Sequence, residues 1–323
     1  MSCSHSIQSN HIVLGDWGTS SLRLFLLNEV GECVQQINGL GVSRLETSAE
    51  EAFFDYIDDW RSQFSIEYCL LSGMVGSNIG WQTVPYMNCP TTSQRIGKHL
   101  LQFTSDELDI YLVPGLKCIN PLNNPDVMRG EEVQILGLLE KHQKFTQGHH
   151  LLCLPGTHTK WVCLFDGVIE SFFSAPTGEM YDLLGKHSTL FELQHNLDHK
   201  PPDKQFLLGV EQANQAGLLM QLFQVRAKNI FAQIDKQEQQ ELMSGLLIGH
   251  EVVAALDIAS KVDNLAWSNI IIVGAKSLAE RYQIALNQFG CNSVLMCGEQ
   301  ITLSGLKSIS RAIHLEGRHD ARK

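Results

Sequence analysis

The chain has 323 residues, of which 44% are hydrophobic and 18% charged, and its formal net charge is −11. This length predicts two globular domains, and the acidic balance disfavours a nucleic-acid or anionic-membrane surface, because such surfaces need clustered Lys and Arg. The nine cysteines form no C-x-x-C pair, and the sequence shows neither a secretion signal nor a run of about 18 apolar residues. We therefore expect a cytoplasmic protein.

The first elements predict a β-meander followed by a helix. The segments HIVLGDW, SLRLFLLN and CVQQIN indicate three strands, with EVGE as a turn between the last two. TSAEEAFFDYIDDWRSQF follows with a Ser or Thr cap, early acids and apolar residues at helical spacing. YCLLSGMVG and IYLVPG then indicate two further strands.

A polar segment rich in Asn and Pro comes next and predicts a flexible loop before a second helix. This helix, RGEEVQILGLLEKHQ, carries Val133, Leu136 and Leu139 on one face. Its first turn contains Glu131 and Glu132.

The opening meander then recurs half a chain later. GTSSLRLFLLNE (residues 18–29) aligns without a gap with GTHTKWVCLFDG (residues 156–167), and each segment lies between two further predicted strands. Such a repeat predicts two similar domains facing each other, although two unrelated hairpins can share this pattern.

The last third alternates helices and strands, which favours a largely parallel sheet flanked by helices. The predicted elements, in order, are the helices EQANQAGLLMQLFQVRAKN and ELMSGLLIGHEVVAALDIAS, the strand NIIIVG, the helix SLAERYQIALNQF, the strand SVLMC and a closing helix.

The turn after the first strand has residue types that suit a Mg²⁺–polyphosphate. In this interpretation Asp16, at the end of a buried strand, would attract the metal, Gly18, Thr19 and Ser20 would offer amides and hydroxyls to phosphate oxygens, and Arg23 could reach the transferred group. An ordinary hairpin with a Gly turn is the structural alternative.

The repeat predicts a second phosphate-binding turn, since a nucleotide in a cleft is held from both walls. Gly156, Thr157 and His158 form this turn, and Lys160 adds a cation. Gly274, between an apolar strand and a helix start, predicts a nucleoside pocket, or else an ordinary strand-to-helix turn.

With these motifs the sequence resembles the superfamily of sugar kinases, acetate kinases, hexokinases and actin-like ATPases (ASKHA). Within it, the chain is most similar to the 2-keto-3-deoxy-galactonate kinase family, through motifs that span nearly the whole sequence in order. These are DWGTSSLR, GVSRL, SGMVGSNIGW, VMRGEEVQ, LPGTHTKW, TGE, LFQVRA, SGLLIGHEV and GAKSLAERY.

The resemblance implies an α/β fold of two duplicated actin-like ATPase (ribonuclease H-like) domains with a cleft between them. Residues 1–145 would bind the sugar acid and carry the first phosphate motif, and residues 146–323 would carry the second phosphate motif and the adenosine pocket. It also implies transfer of the ATP γ-phosphate, with Mg²⁺, to the 6-hydroxyl of 2-dehydro-3-deoxy-D-galactonate in galactonate catabolism.

The general base is expected among the acids of RGEE. Glu131 is the first candidate and Glu132 the second, because a helix start after a loop can present a carboxylate to a sugar hydroxyl. Asp126 and Asp16 are alternatives, and acids in a first helical turn also serve the helix dipole.

The carboxylate of the substrate requires a positive partner. Arg129 is the first candidate and Arg44 the second, although arginines in loops are often only solvated. The glycine-rich turn SGMVGSNIGW can contact the sugar through the following residues: Gly76, Ser77, Asn78 and Trp81, the last of which is equally compatible with the core.

Three other functions remain open at this point. A kinase of a related sugar or sugar acid, such as 2-keto-3-deoxygluconate, would differ only in its pocket. A non-catalytic sugar sensor of the same fold would have lost the metal carboxylate or the base, and a metallohydrolase would need partners for His149, His150 and His158. The sequence leaves the oligomeric state open, a homodimer included.

Overall fold

The structure, a computed structural model, describes residues 10–193, 202–262 and 269–320. Over these ranges the chain forms fourteen β-strands and nine α-helices. The strands are β1 (Asn10–Trp17), β2 (Ser21–Leu27), β3 (Cys33–Leu40), β4 (Ser65–Gly73), β5 (Met87–Asn88), β6 (Leu101–Ser105), β7 (Leu108–Leu112), β8 (Leu116–Ile119), β9 (Pro125–Met128), β10 (His149–Leu154), β11 (Thr159–Phe165), β12 (Val168–Ala175), β13 (Asn269–Gly274) and β14 (Asn292–Cys297). The helices are α1 (Ala49–Gln63), α2 (Ser93–Gly97), α3 (Glu131–Lys141), α4 (Thr177–His187), α5 (Lys204–Gln212), α6 (Leu218–Ile230), α7 (Lys236–Ser260), α8 (Lys276–Gln288) and α9 (Gly298–Asp320).

Unit 1 of the chain comprises Met1–Lys117, Val127–Thr146 and Gln300–Lys323. Its six-stranded sheet has the order β3-β2-β1-β4-β7-β6. β1 is antiparallel to β2 and parallel to β4, and β4 is parallel to β7. β1 and β4 therefore end at the same edge of the sheet, where the Asp16 turn lies.

Helix α1 covers one face of the unit 1 sheet. It begins with a reciprocal capping box, in which the Ser48 hydroxyl accepts from the Glu51 N–H and the Glu51 carboxylate accepts from the Ser48 N–H. Phe53, Ile57 and Trp60 recur at helical spacing and are buried in the unit 1 core. The cap and the apolar stripe together explain why this segment is helical.

Unit 2 comprises Cys118–Asp126 and Gln147–Glu299. Its five-stranded sheet has the order β12-β11-β10-β13-β14, with β10 antiparallel to β11 and parallel to β13. This arrangement matches the order and direction of β3-β2-β1-β4-β7 in unit 1. The predicted duplication of the opening meander is therefore confirmed by the topology.

Unit 2 has a second hydrophobic cluster outside its sheet. Leu222 and Val225 of α6 pack there with Leu242 and Leu246 of α7. By length and composition α7 could cross a membrane, but 61% of its most apolar stretch is buried inside the protein, which is typical of a core helix.

Neither unit is a single continuous segment of the chain. The predicted division between residues 145 and 146 lies next to a crossing at Thr146 and Gln147, but Cys118–Asp126 groups with unit 2 and Gln300–Lys323 with unit 1. From Gln300 onward the closing helix α9 belongs to unit 1, where a Cβ at Gly305 would lie 2.0 Å from the Val133 oxygen of α3.

The segment rich in Asn and Pro differs from its prediction. It contains the short strands β8 and β9 rather than one long loop. Between them Asn120 closes a turn, because its side-chain oxygen accepts from the N–H groups of Leu122 and Asn124, and Asn123 adopts a positive φ of 58°. The predicted flexible loop is therefore wrong here, because the asparagines of this segment form a hydrogen-bonded turn between two strands.

The predicted helix over residues 211–229 is wrong in its first part. α5 ends at Gln212, and α6 starts only after Gly217, which caps it with an extended backbone. α4 and α5 themselves had no prediction, and the strand β6 was also missed. β6 and β7 form a hairpin whose turn residues, Asp106 and Glu107, both have positive φ. Such turns usually contain glycine, and its absence here removed the sequence signal of a hairpin.

Candidate active site

The first glycine turn places an acid and an arginine side by side. Asp16 on β1 lies opposite Arg23 on β2 in the sheet register, and the Arg23 Nη2 atom is 2.5 Å from the Asp16 Oδ2 atom. Both side chains are largely but not fully buried. The structure therefore brings together the predicted metal carboxylate and the predicted contact to the transferred group.

The turn after Asp16 is fixed by its neighbour Gly41–Ser43. The Gly18 carbonyl accepts from the Val42 N–H at 3.1 Å, and the Thr19 carbonyl accepts from the Ser43 hydroxyl at 2.7 Å. A Cβ at Gly41 would lie 2.3 Å from the Thr19 oxygen. The carbonyl groups are thus held, while the side chains of Thr19 and Ser20 are exposed.

Three backbone segments meet beside this turn at glycines. Gly73, at φ 91°, ends β4, and a Cβ there would lie 2.7 Å from the Trp17 oxygen. Gly130, at φ 108°, precedes α3, and its Cβ would lie 3.4 Å from the Gly73 Cα. The start of α3 therefore lies at the edge where β1 and β4 end, which brings Glu131 to the same edge as the Asp16 turn.

The adjacent acids Glu131 and Glu132 have different surroundings. Glu131 is half-buried, and its Oε2 atom accepts from the Arg129 N–H at 3.0 Å. Glu132 is fully buried; its Oε2 atom accepts from the Gly130 N–H at 2.7 Å, whereas its Oε1 atom has no hydrogen-bond partner. Burial and the neighbouring Glu131 raise the pKa of Glu132 to about 8. Of the two, Glu131 is the more accessible to a substrate hydroxyl.

The raised pKa of Glu132 predicts a pH dependence of stability. The carboxyl titrates near 4.5 when unfolded and at about 8 when folded, so folding takes up a proton between these values. Its contribution to the free energy of unfolding is complete below about pH 4.5 and is lost as the pH rises through 8, at up to about 1.4 kcal/mol per pH unit. In urea titrations across this window, Glu132→Gln is expected to lose less stability with rising pH than the unchanged protein. Identical slopes would show that Glu132 is already ionised at neutral pH.

Arg129 is a buried arginine with unused hydrogen-bond donors. Its Nη2 atom donates to the Val84 carbonyl at 2.7 Å, and its guanidinium lies over the Tyr86 ring at 4.3 Å. Its Nε and Nη1 atoms are buried without a hydrogen-bond partner. A Cβ at Gly76 would lie 2.9 Å from Nη1, so the glycine leaves room for the guanidinium. Unsatisfied buried donors on a cation are what an anionic ligand would satisfy.

The remaining sugar-site candidates of unit 1 divide into packed and exposed residues. The Ser77 hydroxyl donates to the Met74 carbonyl at 2.7 Å and so closes its own turn. Trp81 packs against the rings of Phe53 and Phe103 at centroid distances of 5.3 and 5.4 Å, as its core alternative predicted. Asn78, in contrast, is exposed.

Arg44, the second candidate for the carboxylate, is also exposed. It ends the short helical turn Val42–Arg44, which directly follows Gly41. It therefore lies close in sequence to the residues that hold the Thr19 turn.

In unit 2 the start of α4 contacts the second glycine turn. A Cβ at Gly178 would lie 2.3 Å from the Gly156 oxygen, and the Glu179 N–H donates to the Thr157 carbonyl at 2.9 Å. The His158 Nε2 atom is 2.7 Å from the Glu179 Oε2 atom, with both side chains about half exposed. The close approach explains the glycine of the TGE motif. Glu179 is a neighbour of the turn that the sequence analysis did not assign.

Lys160 and Asp126, two further candidates, belong to one polar network in unit 2. The buried Lys160 donates from Nζ to the Ser174 hydroxyl at 2.8 Å, and this hydroxyl donates to Asp126 at 2.7 Å. The Ser174 N–H also donates to Asp126, at 3.0 Å. The network ties β9, β11 and β12 together, so both charged groups have structural partners.

A buried carboxylate that the sequence analysis missed lies behind the second turn. Glu251 of α7 accepts from the Trp161 Nε1–H at 2.8 Å and from the Tyr282 hydroxyl at 2.6 Å. The Tyr282 oxygen is also 2.8 Å from the Thr159 hydroxyl, and Thr177 adds a bond to Glu251. Burial raises the pKa of Glu251, and these hydrogen bonds partly oppose the rise. Glu251 thus fixes the strand that follows the glycine turn.

Gly274 ends β13 where a second strand end approaches it. A Cβ there would lie 3.4 Å from the Pro155 Cδ atom, and a Cβ at Gly298 would lie 3.1 Å from the Gly274 Cα. The close backbone approach therefore favours a glycine at position 298, whereas a Cβ at position 274 would lie at ordinary contact distance from Pro155. The predicted Gly274 position and the Gly156 turn share one edge of the unit 2 sheet.

Comparisons with known proteins place this arrangement in a family. The family model described as 2-keto-3-deoxy-galactonokinase matches residues 16–309. The 2-dehydro-3-deoxygalactonokinase of Escherichia coli strain K12 is 34% identical over 306 residues, which cover 92% of this chain and 97% of that protein.

Solved structures agree with this match. A crystal structure of a Sinorhizobium meliloti protein named for the same activity has a TM-score of 0.80 at 29% identity and covers 94% of this chain and 96% of that chain. Xylulose kinase from Lactobacillus acidophilus, at 10% identity, has a TM-score of 0.50 and covers 95% and 90% of the two chains. The second likeness shows the fold alone, that of actin-like ATPases and sugar kinases, as predicted. The chain is a kinase and belongs to the 2-keto-3-deoxy-galactonokinase family.

Proposed function

We propose that this protein transfers the γ-phosphoryl group of ATP to the 6-hydroxyl of 2-dehydro-3-deoxy-D-galactonate, a step of galactonate catabolism in the cytoplasm. The choice of an acidic sugar rests on Arg129. Its guanidinium is buried near Gly76, and two of its nitrogen atoms have no hydrogen-bond partner. A neutral sugar would leave these donors without a charged acceptor, whereas a carboxylate can accept a charge-assisted hydrogen bond from one of them. The names of the similar kinases support the same substrate.

The half-buried Glu131 is the proposed general base. It lies two residues from Arg129, so a substrate whose carboxylate binds the arginine can direct a hydroxyl to the carboxylate of Glu131. The start of α3 lies beside the end of β4, since a Cβ at Gly130 would be 3.4 Å from the Gly73 Cα. Glu131 would accept the proton that the 6-hydroxyl loses as its oxygen bonds to phosphorus.

Nucleotide binding is proposed at the two glycine turns. In unit 1 Gly18, Thr19 and Ser20 offer amides and hydroxyls, and Arg23 supplies a cation to the transferred phosphoryl group. In unit 2 the Gly156–His158 turn offers a second set of donors, and Gly274 leaves backbone room for the nucleoside. Glu251 would hold the strand that carries this second turn in place.

The residues present are compatible with Mg²⁺. Over the described residues no cluster of three or more His, Cys, Asp or Glu side chains could hold a metal ion by itself. Mg²⁺ beside nucleotide phosphates commonly uses only one or two carboxylates, which the partly accessible Asp16 fits. When bound, the ion would neutralise charge on the phosphate oxygens.

A coupled assay of ADP release tests the proposal. With Mg-ATP we expect turnover on 2-dehydro-3-deoxy-D-galactonate, weaker turnover on its epimer 2-keto-3-deoxygluconate, and none above background on aldoses. The ³¹P spectrum of the product should show coupling of phosphorus to two protons, as a primary phosphate ester at carbon 6 requires. Activity confined to neutral sugars, or a product phosphorylated at a secondary hydroxyl, would contradict the assignment.

A further inference from the structure

Helix α6 is apolar on two opposite faces. One face, with Leu222 and Val225, is buried against α7 in the second cluster of unit 2. The other face points to solvent and carries large apolar side chains. These exposed side chains are Leu219, Met220, Phe223 and Ile230, together with Phe231 directly after the helix, and they are 82%, 72%, 64%, 66% and 77% exposed.

The exposed side chains form one continuous stripe. At about 100° per residue, they lie together with Ala227 within a sector of roughly 120° of the helix. Their exposed fractions correspond to roughly 700 Å² of apolar surface, close to the about 800 Å² that each partner gives to a standard protein interface. A patch of this size on one helix exceeds what a monomer ordinarily exposes.

The positions of the apolar residues along the stripe are symmetric about residue 225. Reversal of the helix places Leu219 on the position of Phe231, Met220 on that of Ile230, and Phe223 on that of Ala227. A two-fold axis near residue 225 would set Leu219 of one helix against Ile230 of an antiparallel copy and Met220 against Phe231, since these pairs lie at similar helical angles on opposite sides of the axis, and would place Phe223 beside Ala227.

The size of the paired side chains also matches. Phe223 is large and Ala227 small, and beside Ala227 lies a depression of about 320 Å³ lined by Gln224, Lys228, Phe231 and Gln233. Phe223 of a second copy would enter this depression. The charged side chains of α6, Arg226 and Lys228, lie at the edges of the stripe, as is usual for the rim of an interface.

We propose that this exposed face of α6 (the α6 stripe) is the interface of a symmetric homodimer, in which the α6 helices of two copies pack antiparallel with Phe223 against the partner's Ala227. The palindromic order of the side chains and the area of the stripe favour a second copy as occupant, because a two-fold symmetric contact needs a patch that is complementary to itself. The interface lies outside the candidate active site, so it does not depend on the proposed function.

Sedimentation equilibrium of the full chain tests the dimer. We expect the mass of two chains at micromolar concentration, and a dissociation constant at least 100-fold higher for Phe223→Glu, whose charge would be buried in the interface. Val30→Glu is the matched control, since Val30 is 78% exposed in unit 1, far along the chain from the stripe. A monomer at all concentrations, or a dimer that Phe223→Glu leaves intact, would overturn the proposal.

Disulfide trapping tests the antiparallel register. Under mild oxidation, a mixture of Phe223→Cys and Ala227→Cys chains should form more cross-linked dimer than either variant alone, because these positions face each other only in the antiparallel pair. The unchanged chain measures the background from its own exposed Cys33 and Cys297. Circular dichroism shows whether each variant folds, and Leu219→Lys replaces Phe223→Glu if that variant does not. Preferential cross-linking of Phe223→Cys to itself, or binding of the stripe to lipid vesicles in place of self-association, would contradict the proposal.

Discussion

Replacement of Glu131 by Gln is expected to lower kcat by about 100-fold or more, with little change in the KM for ATP. A positioned general base accounts for about this much of the rate of proton transfer. The amide keeps the shape of the side chain and can still accept from the Arg129 N–H, so the start of α3 should keep its geometry. Initial rates with saturating sugar acid and varied Mg-ATP measure both constants.

Glu140 provides the control for this substitution. It lies on the same helix, partly exposed, and pairs with Arg311 at 2.6 Å. Glu140→Gln should leave kcat within about twofold, because surface ion pairs contribute little. If Glu131→Gln turns over like Glu140→Gln, Glu131 is not the base, and Glu132 and Asp16 become the next residues to substitute.

The contrast between Glu131 and Glu132 shows what the sequence could and could not predict. Both acids stand in the first turn of a predicted helix, and this prediction is confirmed. Consecutive helical residues differ by about 100° in direction, so one side chain stays half-buried while the next is fully buried. Which of the two directions meets the core depends on the packing of Gly130 against Gly73, residues 57 positions apart. The sequence alone does not contain that information.

Local signals account for the elements that were predicted well. The two meanders follow from alternating apolar residues and Gly-Thr turns, and α1 follows from its capping box at Ser48. β6 was missed because Asp106 and Glu107 form its turn without glycine. The local signal was absent there, and only the pairing with β7 makes the strand.

Glu251 illustrates a site residue that only the fold reveals. Its four partners come from β11, α4 and α8, and each of them is at least 31 residues away from it in the sequence. Within α7 it is one of four acids and gives no distinct pattern. Its role becomes apparent only when the helix is seen to pass behind the strand that follows the Gly156 turn.

Substitution of Arg129 by Met should raise the KM for the sugar acid by about 10- to 100-fold, while the KM for ATP changes by less than about twofold. Charge-assisted hydrogen bonds contribute about 1.5–3 kcal/mol, which corresponds to this range. Methionine preserves most of the length and the contact with Tyr86, whereas alanine would leave a cavity. Steady-state kinetics with each substrate varied in turn give the two constants.

The same substitution should weaken binding of the sugar acid without a comparable loss of protein stability. Without ligand, the Nε and Nη1 atoms of Arg129 are buried and unsatisfied, which costs free energy in the folded state. Arg129→Met removes this cost but also loses the bond to the Val84 carbonyl and the cation–π contact with the Tyr86 ring, so the free energy of unfolding should change little. Arg44→Met is the matched control, because Arg44 is exposed and was the alternative partner of the carboxylate. A larger rise in the KM for the sugar acid with Arg44→Met would move the carboxylate site to Arg44, and a loss of stability with equal rises in both KM values would make Arg129 a structural residue.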